Sequence, residues 1–291
     1  MEHLNWGLPV ALDLFLAGMG AGAFMLAIMA ELAGGRRYRA VSITGAAIAP
    51  WPVILGVLLL VVDLGKPQRF WEMILRRGEG FLMFNPASTM SIGTWLLTVF
   101  VFASLAYLAV SILTIPFSWG ATVRKIVGIL GLPFALLVTI YTGVLISATS
   151  NALWSTHLLP VVFVCSAMVT GVASVLFVLA ILRICGALDE EDSHIPKLEK
   201  LNSWVIGFQL VMVILFMLVR IGSAEMISVI GTVSLGLFWW IGVIVLGLVV
   251  PFVFTLKGQA RKPLVSLVLS ILVLLGGLLL RYVILVGGQV A

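Results

Sequence analysis

The sequence predicts an all-α integral membrane protein whose eight transmembrane helices form two parallel four-helix bundles. The composition, the length of the apolar runs and a similarity between the two halves predict this fold. Of the 291 residues, 62% are hydrophobic and 10% are charged, whereas a soluble domain carries about 25% charged residues. The composition therefore excludes a soluble enzyme, a disordered protein and a nucleic-acid-binding protein, and it makes the lipid bilayer the surroundings of the protein.

Eight apolar runs are long enough to cross a bilayer, which takes about 20 residues of helix. Glycine, proline and charged residues separate them, for example at 34–39, 63–67 and 189–192. The runs are too long for transmembrane strands and their polarity does not alternate. The expected spans are 8–32, 40–62, 87–114, 124–149, 156–183, 202–221, 226–256 and 264–288.

The distribution of Lys and Arg predicts the orientation. No basic region precedes the first run, so we expect it to stay in the protein as a span rather than to be a signal peptide. An even number of spans places both termini on one side. The positive-inside rule predicts a cytoplasmic location for the more basic face and both termini on the periplasmic side of the inner membrane. The ends that follow spans 1, 3, 5 and 7, which we call the basic face, hold 11 of the 17 Lys and Arg residues: Arg36, Arg37, Arg39, Arg124, Lys125, Arg183, Lys197, Lys200, Lys257, Arg261 and Lys262.

An internal repeat relates the two halves of the sequence. Residues 8–23 align with residues 159–174, so that Pro9 corresponds to Pro160 and Gly20 to Gly171. Both copies begin at an odd-numbered span and therefore have the same orientation, which predicts one bundle at 1–150 and a second at 151–291. Chance similarity between apolar helices is the alternative interpretation. Asp13 aligns with Val164, so only the first bundle has a carboxylate at that depth.

Three polar residues lie deep within predicted spans, where an ionisable group costs at least ~2.5–3.5 kcal/mol. Asp13, Tyr141 and Arg281 lie roughly 8, 12 and 10 Å below the outer helix ends at the α-helical rise. Asp13 is either a structural ion-pair or packing residue, or a proton-exchanging ligand for a polar headgroup buried in lipid. Tyr141 alone is typical of a core or interface residue, and Arg281 either pairs with Asp or Glu or has a functional role.

Other polar residues cluster near the outer ends of the spans, whereas few lie deep on the inner side. Glu31 is the inner exception, and we expect it to pair with a nearby arginine of the basic face. The outer candidates are Asp63, Asn85, Ser88 and Trp154.

Several kinds of redox or catalytic centre are excluded. A transmembrane b-type haem takes two axial histidines from membrane helices, but the three histidines occur at the terminus, a helix mouth and a loop, as His3, His157 and His194. The two cysteines, Cys165 and Cys185, are too few for an iron–sulfur cluster, which takes about four thiolates. No metal-ligand cluster, nucleotide-binding loop or catalytic serine arrangement is visible.

Five segments, in order and on the expected helices, resemble the NrfD/polysulfide-reductase membrane-subunit family. The resemblance implies a haem-free subunit, with no metal of its own, that binds menaquinone or ubiquinone in the first bundle near the outer face. It also implies a ferredoxin-like four-cluster iron–sulfur partner, often joined to a molybdopterin catalytic subunit. The segments are LFLAGMGAGA at 14–23, DLGKPQRF at 63–70, FNPASTMSIG at 84–93, YTG at 141–143 followed by Trp154 and LP at 159–160, and RYVILVGGQ at 281–289.

The resemblance also implies roles for individual residues. Tyr141 matches a tyrosine that binds the quinone headgroup, and Asp13 falls where the polysulfide-type member has a quinone-binding histidine. Aspartate and histidine can both take up protons, although the replacement of one by the other leaves the detailed hydrogen bonding open. The further residues that match motif positions are Asp63, Arg69, Asn85 and Ser88.

The resulting hypothesis is a subunit without its own redox centre that oxidises quinol or reduces quinone. Tyr141 would hydrogen-bond a quinone carbonyl and Asp13 would relay the accompanying proton. Trp154 and Phe70 would border the ring, and Arg281 is a further candidate for the site.

The loop at 63–86 is the longest outer connection and carries several charges of both signs. We expect it to dock the partner subunit, with Trp71 and Phe81 as apolar anchors, and a solvated charged loop is the alternative.

Two other functions stay open at this point. A secondary transporter also combines an internal repeat with intramembrane charges, although its site usually lies at the midplane. A proton-conducting or purely structural anchor, with quinone bound elsewhere, is the second.

Overall fold

The computed structural model describes residues 7–63, 89–113, 120–148, 153–188 and 195–289. Within these ranges, all long elements are helices. They are α1 (Leu8–Gly34), α2 (Arg39–Ile48), α3 (Pro50–Asp63), α4 (Thr89–Ile112), α5 (Gly120–Ser147), α6 (Leu158–Ile184), α7 (Ile195–Arg220), α8 (Ala224–Gly231), α9 (Val233–Leu237), a π-helical segment (Phe238–Val249), α10 (Val250–Leu256) and α11 (Pro263–Gly287).

Eight helices in the described ranges are long and apolar enough to span a membrane, and each overlaps one predicted span. The prediction of an all-helical, multi-pass membrane protein is therefore confirmed. The eight are Leu8–Gly34, Arg39–Val62, Ser91–Ile112, Gly120–Ser147, Leu158–Ile184, Lys197–Arg220, Val233–Leu256 and Pro263–Gly287.

The second span differs from the continuous helix expected at 40–62, because it bends at Ala49 between α2 and α3. The N–H of Ala49 still donates to the carbonyl of Gly45 at 3.0 Å. Pro50 and Pro52 follow, and neither has an N–H to continue the helical hydrogen bonds. Gly20 of α1 lies against this bend, since a Cβ on Gly20 would come within 2.5 Å of the Ala49 carbonyl oxygen.

The seventh span also differs from the expected helix at 226–256. Thr232 is extended and separates α8 from the spanning helix, which begins at Val233. In the π-helical segment of that span, the N–H of Val250 donates to the carbonyl of Val245, five residues back. The backbone of Gly247 there lies directly against the backbone of Gly276 in α11, a contact that a side chain on either glycine would prevent.

The centre of the molecule is the pair α1 and α6. In their most apolar windows, 78% of α1 and 72% of α6 is buried, whereas the other spans are at most 39% buried. The two helices pack closely because Gly22 lies against the backbone of Ala167 and Gly171. The remaining spans surround this pair and leave their outer faces to lipid.

Corresponding helices have corresponding neighbours in the two halves. α1 packs against α3 and α5, just as α6 packs against α7 and α11; α4 packs against α5, just as the π-helical segment packs against α11. These neighbours agree with two parallel bundles. The sequence repeat itself stays a prediction.

Candidate functional site

Two polar sites lie on opposite sides of α1, at a similar depth. Asp13 and Phe15 are two residues apart, which places them about 200° apart around the helix. Asp13 lies against Gly56 of α3, within the first half of the protein. Phe15 and Gly18 lie against Arg281 of α11. The structure therefore separates Arg281 from Asp13 by the width of α1.

Asp13 is a buried carboxyl group with an unsatisfied oxygen. Its side chain is 4% exposed, and Oδ1 has no hydrogen-bond partner in the described structure. Gly56 makes room for it, since a Cβ there would come within 2.7 Å of Oδ1. A buried polar group without a partner is costly. The described residues supply no ion pair for Asp13, and its Oδ1 is free to accept a hydrogen bond.

Tyr141 of α5 lies near Asp13, within the range of a through-space electrostatic interaction between the two side chains. Its phenol ring lies across the backbone of Gly93 in α4, and a Cβ on Gly93 would overlap the ring. The two predicted catalytic residues are therefore brought together at a point where α1, α3, α4 and α5 meet.

The YTG motif at 141–143 fixes α5 on two sides. Gly143 lies directly against Pro160 of α6, whereas Tyr141, two residues earlier, lies against α4. The hydroxyl of Thr142 donates to the carbonyl of Thr139 at 2.8 Å and so stays within its own helix. The contact between Gly143 and Pro160 holds α5 against α6 and thereby orients Tyr141.

Arg281 is fully buried between α1, α6 and α11. Its Nη1 donates to Ser166 Oγ at 2.9 Å and to the carbonyl of Gly277 at 3.1 Å. Its guanidinium carbon lies 5.7 Å from the ring centroid of Phe15 and 5.4 Å from that of Phe163, which are cation–π distances. Within the described residues it has no acidic partner; two aromatic rings, one hydroxyl group and one backbone carbonyl surround this cation, and its Nε and Nη2 have no hydrogen-bond partner there.

A second buried carboxyl on α1, at the basic end of the helix, has the partners that Asp13 lacks. Oε1 of Glu31 forms an ion pair with Nη2 of Arg124 at 2.7 Å, and Ser42 Oγ donates to its Oε2 at 3.5 Å. Ser42 also shares a hydrogen bond of 3.0 Å with the hydroxyl of Tyr107. The prediction that Glu31 pairs with an arginine of the basic face is confirmed.

Comparison with known families decides the relationship of the protein. The family described as "Polysulphide reductase, NrfD" matches residues 1–291. The chain belongs to the NrfD family. The resemblance inferred from the five sequence segments is thereby confirmed over the whole length.

Curated relatives of this NrfD family member match it over nearly its full length. Protein NrfD of Escherichia coli is 29% identical, covering 99% of this sequence and 96% of the relative. A polysulfide reductase chain of Wolinella succinogenes is 27% identical, covering 98% and 94%. A selenate reductase subunit of Mesobacillus selenatarsenatis is 24% identical, covering 100% of this sequence and 75% of the relative.

Trp154 lies in the second half of the NrfD fold, at the end opposite the basic face. Its indole N–H donates to the carbonyl of Ile284 at 2.8 Å, and its ring lies against Gly288. These contacts are with α11 and the turn that follows it. The proposed role of Trp154 at the edge of a quinone ring stays a prediction.

Several predicted site residues lie outside the described residues. The backbone of Asp63 ends α3, but its side chain is not described. The rest of the proposed docking loop, with its two apolar anchors, lies entirely outside the described residues. The roles of all these residues stay predictions. The residues concerned are Arg69, Phe70, Trp71, Phe81, Asn85 and Ser88.

The sequence reasoning missed two glycines that shape the site. It gives Gly56 no role, and Gly93 appears in it only as the end of a motif. Each is a glycine within an apolar span, a position where small residues allow helices to approach closely. The side chain that packs against each glycine comes from a neighbouring helix. The residue pattern of the glycine's own span therefore does not identify that side chain.

Proposed function

We propose that this NrfD family protein is the haem-free, quinone-reactive membrane subunit of a multisubunit respiratory oxidoreductase. The observation that carries the proposal is the unpartnered, buried carboxyl group of Asp13 beside Tyr141 in the first four spans. The relatives named as parts of polysulfide reductase and of selenate reductase support its place in a reductase complex. The isolated protein would have no activity of its own.

The residues around Asp13 fit a quinone headgroup. The hydroxyl of Tyr141 can donate to a ring carbonyl, and Oδ1 of Asp13 can accept from the hydroxyl of a quinol. When bound, menaquinone or ubiquinone supplies a two-electron carrier that takes up or releases protons. Asp13 holds and relays the proton, whereas Gly56 and Gly93 accommodate the carboxyl group of Asp13 and the ring of Tyr141.

Electrons must pass between this site and another subunit, in one direction or the other. The sequence has two cysteines, fewer than the roughly four thiolates of an iron–sulfur cluster, and no group of three His, Cys, Asp or Glu residues in its described part suits a metal. From the family resemblance we infer a ferredoxin-like iron–sulfur partner with four clusters, connected to a molybdopterin catalytic subunit and docked on the loop at 63–86. The positive charge of the basic face supports an inner-membrane orientation that places this loop and both termini outside.

The test is quinone turnover by the assembled complex with Asp13→Asn or Tyr141→Phe. General acid–base groups contribute about 10²–10⁴-fold to rates, so each change is expected to lower turnover at least about a hundredfold without loss of assembly. Tyr107→Phe is the matched control, because Tyr107 is a buried phenol of the same half that lies in the Glu31 network. Near-wild-type turnover in both variants would refute the proposal.

A further inference from the structure

A groove of about 710 Å³ lies between α7 and α10, in the second half of the protein and far from Asp13 in the fold. Its volume is within the range of about 300–1,000 Å³ that is typical of small-molecule sites. Neither the quinone proposal nor any motif of the sequence uses it.

The groove begins at the basic face and follows one stripe of α7. Lys200, Trp204, Phe208 and Val211 line it at intervals of three or four residues, which places them on one side of the helix. From Lys200 to Val211 the helix rises roughly 16 Å, about half of the ~30 Å hydrocarbon core. The groove therefore has the depth of one leaflet.

The walls of the groove are apolar and open to lipid. Trp204 and Phe208 are 72% and 53% exposed. Phe252 of α10 forms the facing wall and packs closely on Gly207, where a Cβ would come within 2.9 Å of its ring. These surfaces suit a hydrocarbon chain.

The mouth of the groove is polar and carries charges of both signs. Lys200 and Arg261 are exposed there. Glu199 is only 5% exposed, and its Oε1 has no hydrogen-bond partner in the described structure. Arg183 and Arg261 act on Glu199 electrostatically, yet within the described ranges neither forms an ion pair with it. Lys200 and Arg261 can therefore bind an anion at the mouth, and Oε1 of Glu199 can accept a hydrogen bond from a ligand.

We propose that this groove binds one phospholipid of the leaflet at the basic face. The phosphate contacts Lys200 and Arg261. A headgroup N–H or O–H, from an ethanolamine or a glycerol, donates to Oε1 of Glu199. One acyl chain lies along Trp204, Phe208 and Phe252.

The chemistry of the mouth favours a phospholipid over the other occupants. A quinone carbonyl can accept a hydrogen bond from Lys200 or Arg261, but a quinone brings no negative charge to balance the two cations. A phosphate supplies both the acceptor oxygens and the charge. A transmembrane helix of a partner would need a groove along the full hydrocarbon core, about twice the observed depth.

The first experiment measures phospholipid retained by the complex after exhaustive washing in mild detergent, by native mass spectrometry. The wild type is expected to retain one phospholipid. Arg261→Gln and Lys200→Gln, both at exposed positions, are expected to lower retention at least about tenfold, since each removes a charge-assisted contact. Lys257→Gln is the control, because Lys257 is an exposed cation of the same face that does not line the groove.

The second experiment identifies the headgroup donor. The complex is exchanged into nanodiscs of equal phosphatidylethanolamine, phosphatidylglycerol and phosphatidylcholine, whose choline lacks a donor. The wild type is expected to enrich an ethanolamine or glycerol lipid about tenfold over phosphatidylcholine, and the enriched lipid identifies the donor as N–H or O–H. Glu199→Met is expected to abolish the preference.

Four outcomes would overturn the inference. They are no phospholipid retained by the wild type, equal retention by Arg261→Gln and Lys257→Gln, a retained quinone that is lost in Arg261→Gln but not in Lys257→Gln, and a protein adduct rather than a lipid adduct from a photo-crosslinking residue at Phe208. All four are independent of quinone turnover at Asp13.

Discussion

Asp13 and Glu31 are both buried carboxyl groups of α1, and their neighbours give them different roles. Glu31 has an ion pair with Arg124 and a hydrogen bond from Ser42, so the cost of its burial is offset within the fold. Oδ1 of Asp13 has no such partner in the described structure, so the cost of burying it is not offset by the described residues. The sequence shows two acidic residues in one span, and the partners from other helices distinguish them.

Removing Arg124 is expected to destabilise the protein without changing the chemistry of the proposed quinone site. Arg124→Gln leaves Glu31 as a buried charge without a counterion, which costs about 3–5 kcal/mol. Thermal unfolding of the purified complex measures the loss. Lys125→Gln, at the exposed neighbouring position, is the control, and equal unfolding midpoints for the two variants would contradict the structural role of the ion pair.

Gly93 is expected to be as important for turnover as the side chain that it accommodates. In Gly93→Ala the new Cβ would overlap the ring of Tyr141, so the phenol must move, and a displacement of about 1 Å can cost up to about a hundredfold in rate. Quinone turnover per assembled complex is the measurement. Gly231→Ala is the matched control, since nothing lies within 4 Å of that position; full turnover by Gly93→Ala would show that Tyr141 does not act from its observed position.

At the scale of the element, hydropathy predicted the spans but not their internal irregularities. The second span bends before Pro50, whereas Pro133 lies inside α5, which continues without a break. A proline therefore marks a missing hydrogen bond, but the surrounding packing decides whether the helix bends there. At Ala49 the bend lies against Gly20 of α1, and this close approach is a property of two helices, not of one.

At the scale of the whole molecule, the glycine contact between α1 and α6 joins the two halves. Gly171→Leu would force a side chain into the backbone of Gly22, and overpacking of this kind typically costs about 1–3 kcal/mol or more. We expect a lower unfolding midpoint and less monodisperse protein in size-exclusion chromatography. Gly222→Leu is the control, because that glycine has no neighbour within 4 Å, and similar behaviour of both variants would exclude a central role for the α1–α6 contact.

The two native cysteines provide a test of orientation without any substitution. Cys185 is exposed just beyond α6 at the basic face, whereas Cys165 is buried within that helix. If the basic face is cytoplasmic, a membrane-impermeant thiol reagent is expected to label Cys185 in inverted vesicles and not in intact spheroplasts. Cys165 is the internal control, and labelling of Cys185 from the outside would reverse the proposed orientation.

We propose that the protein is divided into two four-helix bundles, at 1–150 and 151–291. The halves have corresponding neighbours, yet Asp13 aligns with Val164. A symmetric scaffold thus has one asymmetric polar site, which is consistent with a single quinone site in the first half.

The sequence by itself determined the membrane class, the eight spans and the family, because hydrophobic length and short motifs are properties of consecutive residues. It also identified Asp13, Tyr141 and Arg281, because polar groups in a membrane span are costly and therefore conspicuous. Only the tertiary structure decided that Asp13 lies near Tyr141 while Arg281 lies across α1 among aromatic rings. Gly56, Gly93 and the groove beside α7 also emerged only from the packing, because each depends on residues from helices that are distant in the sequence.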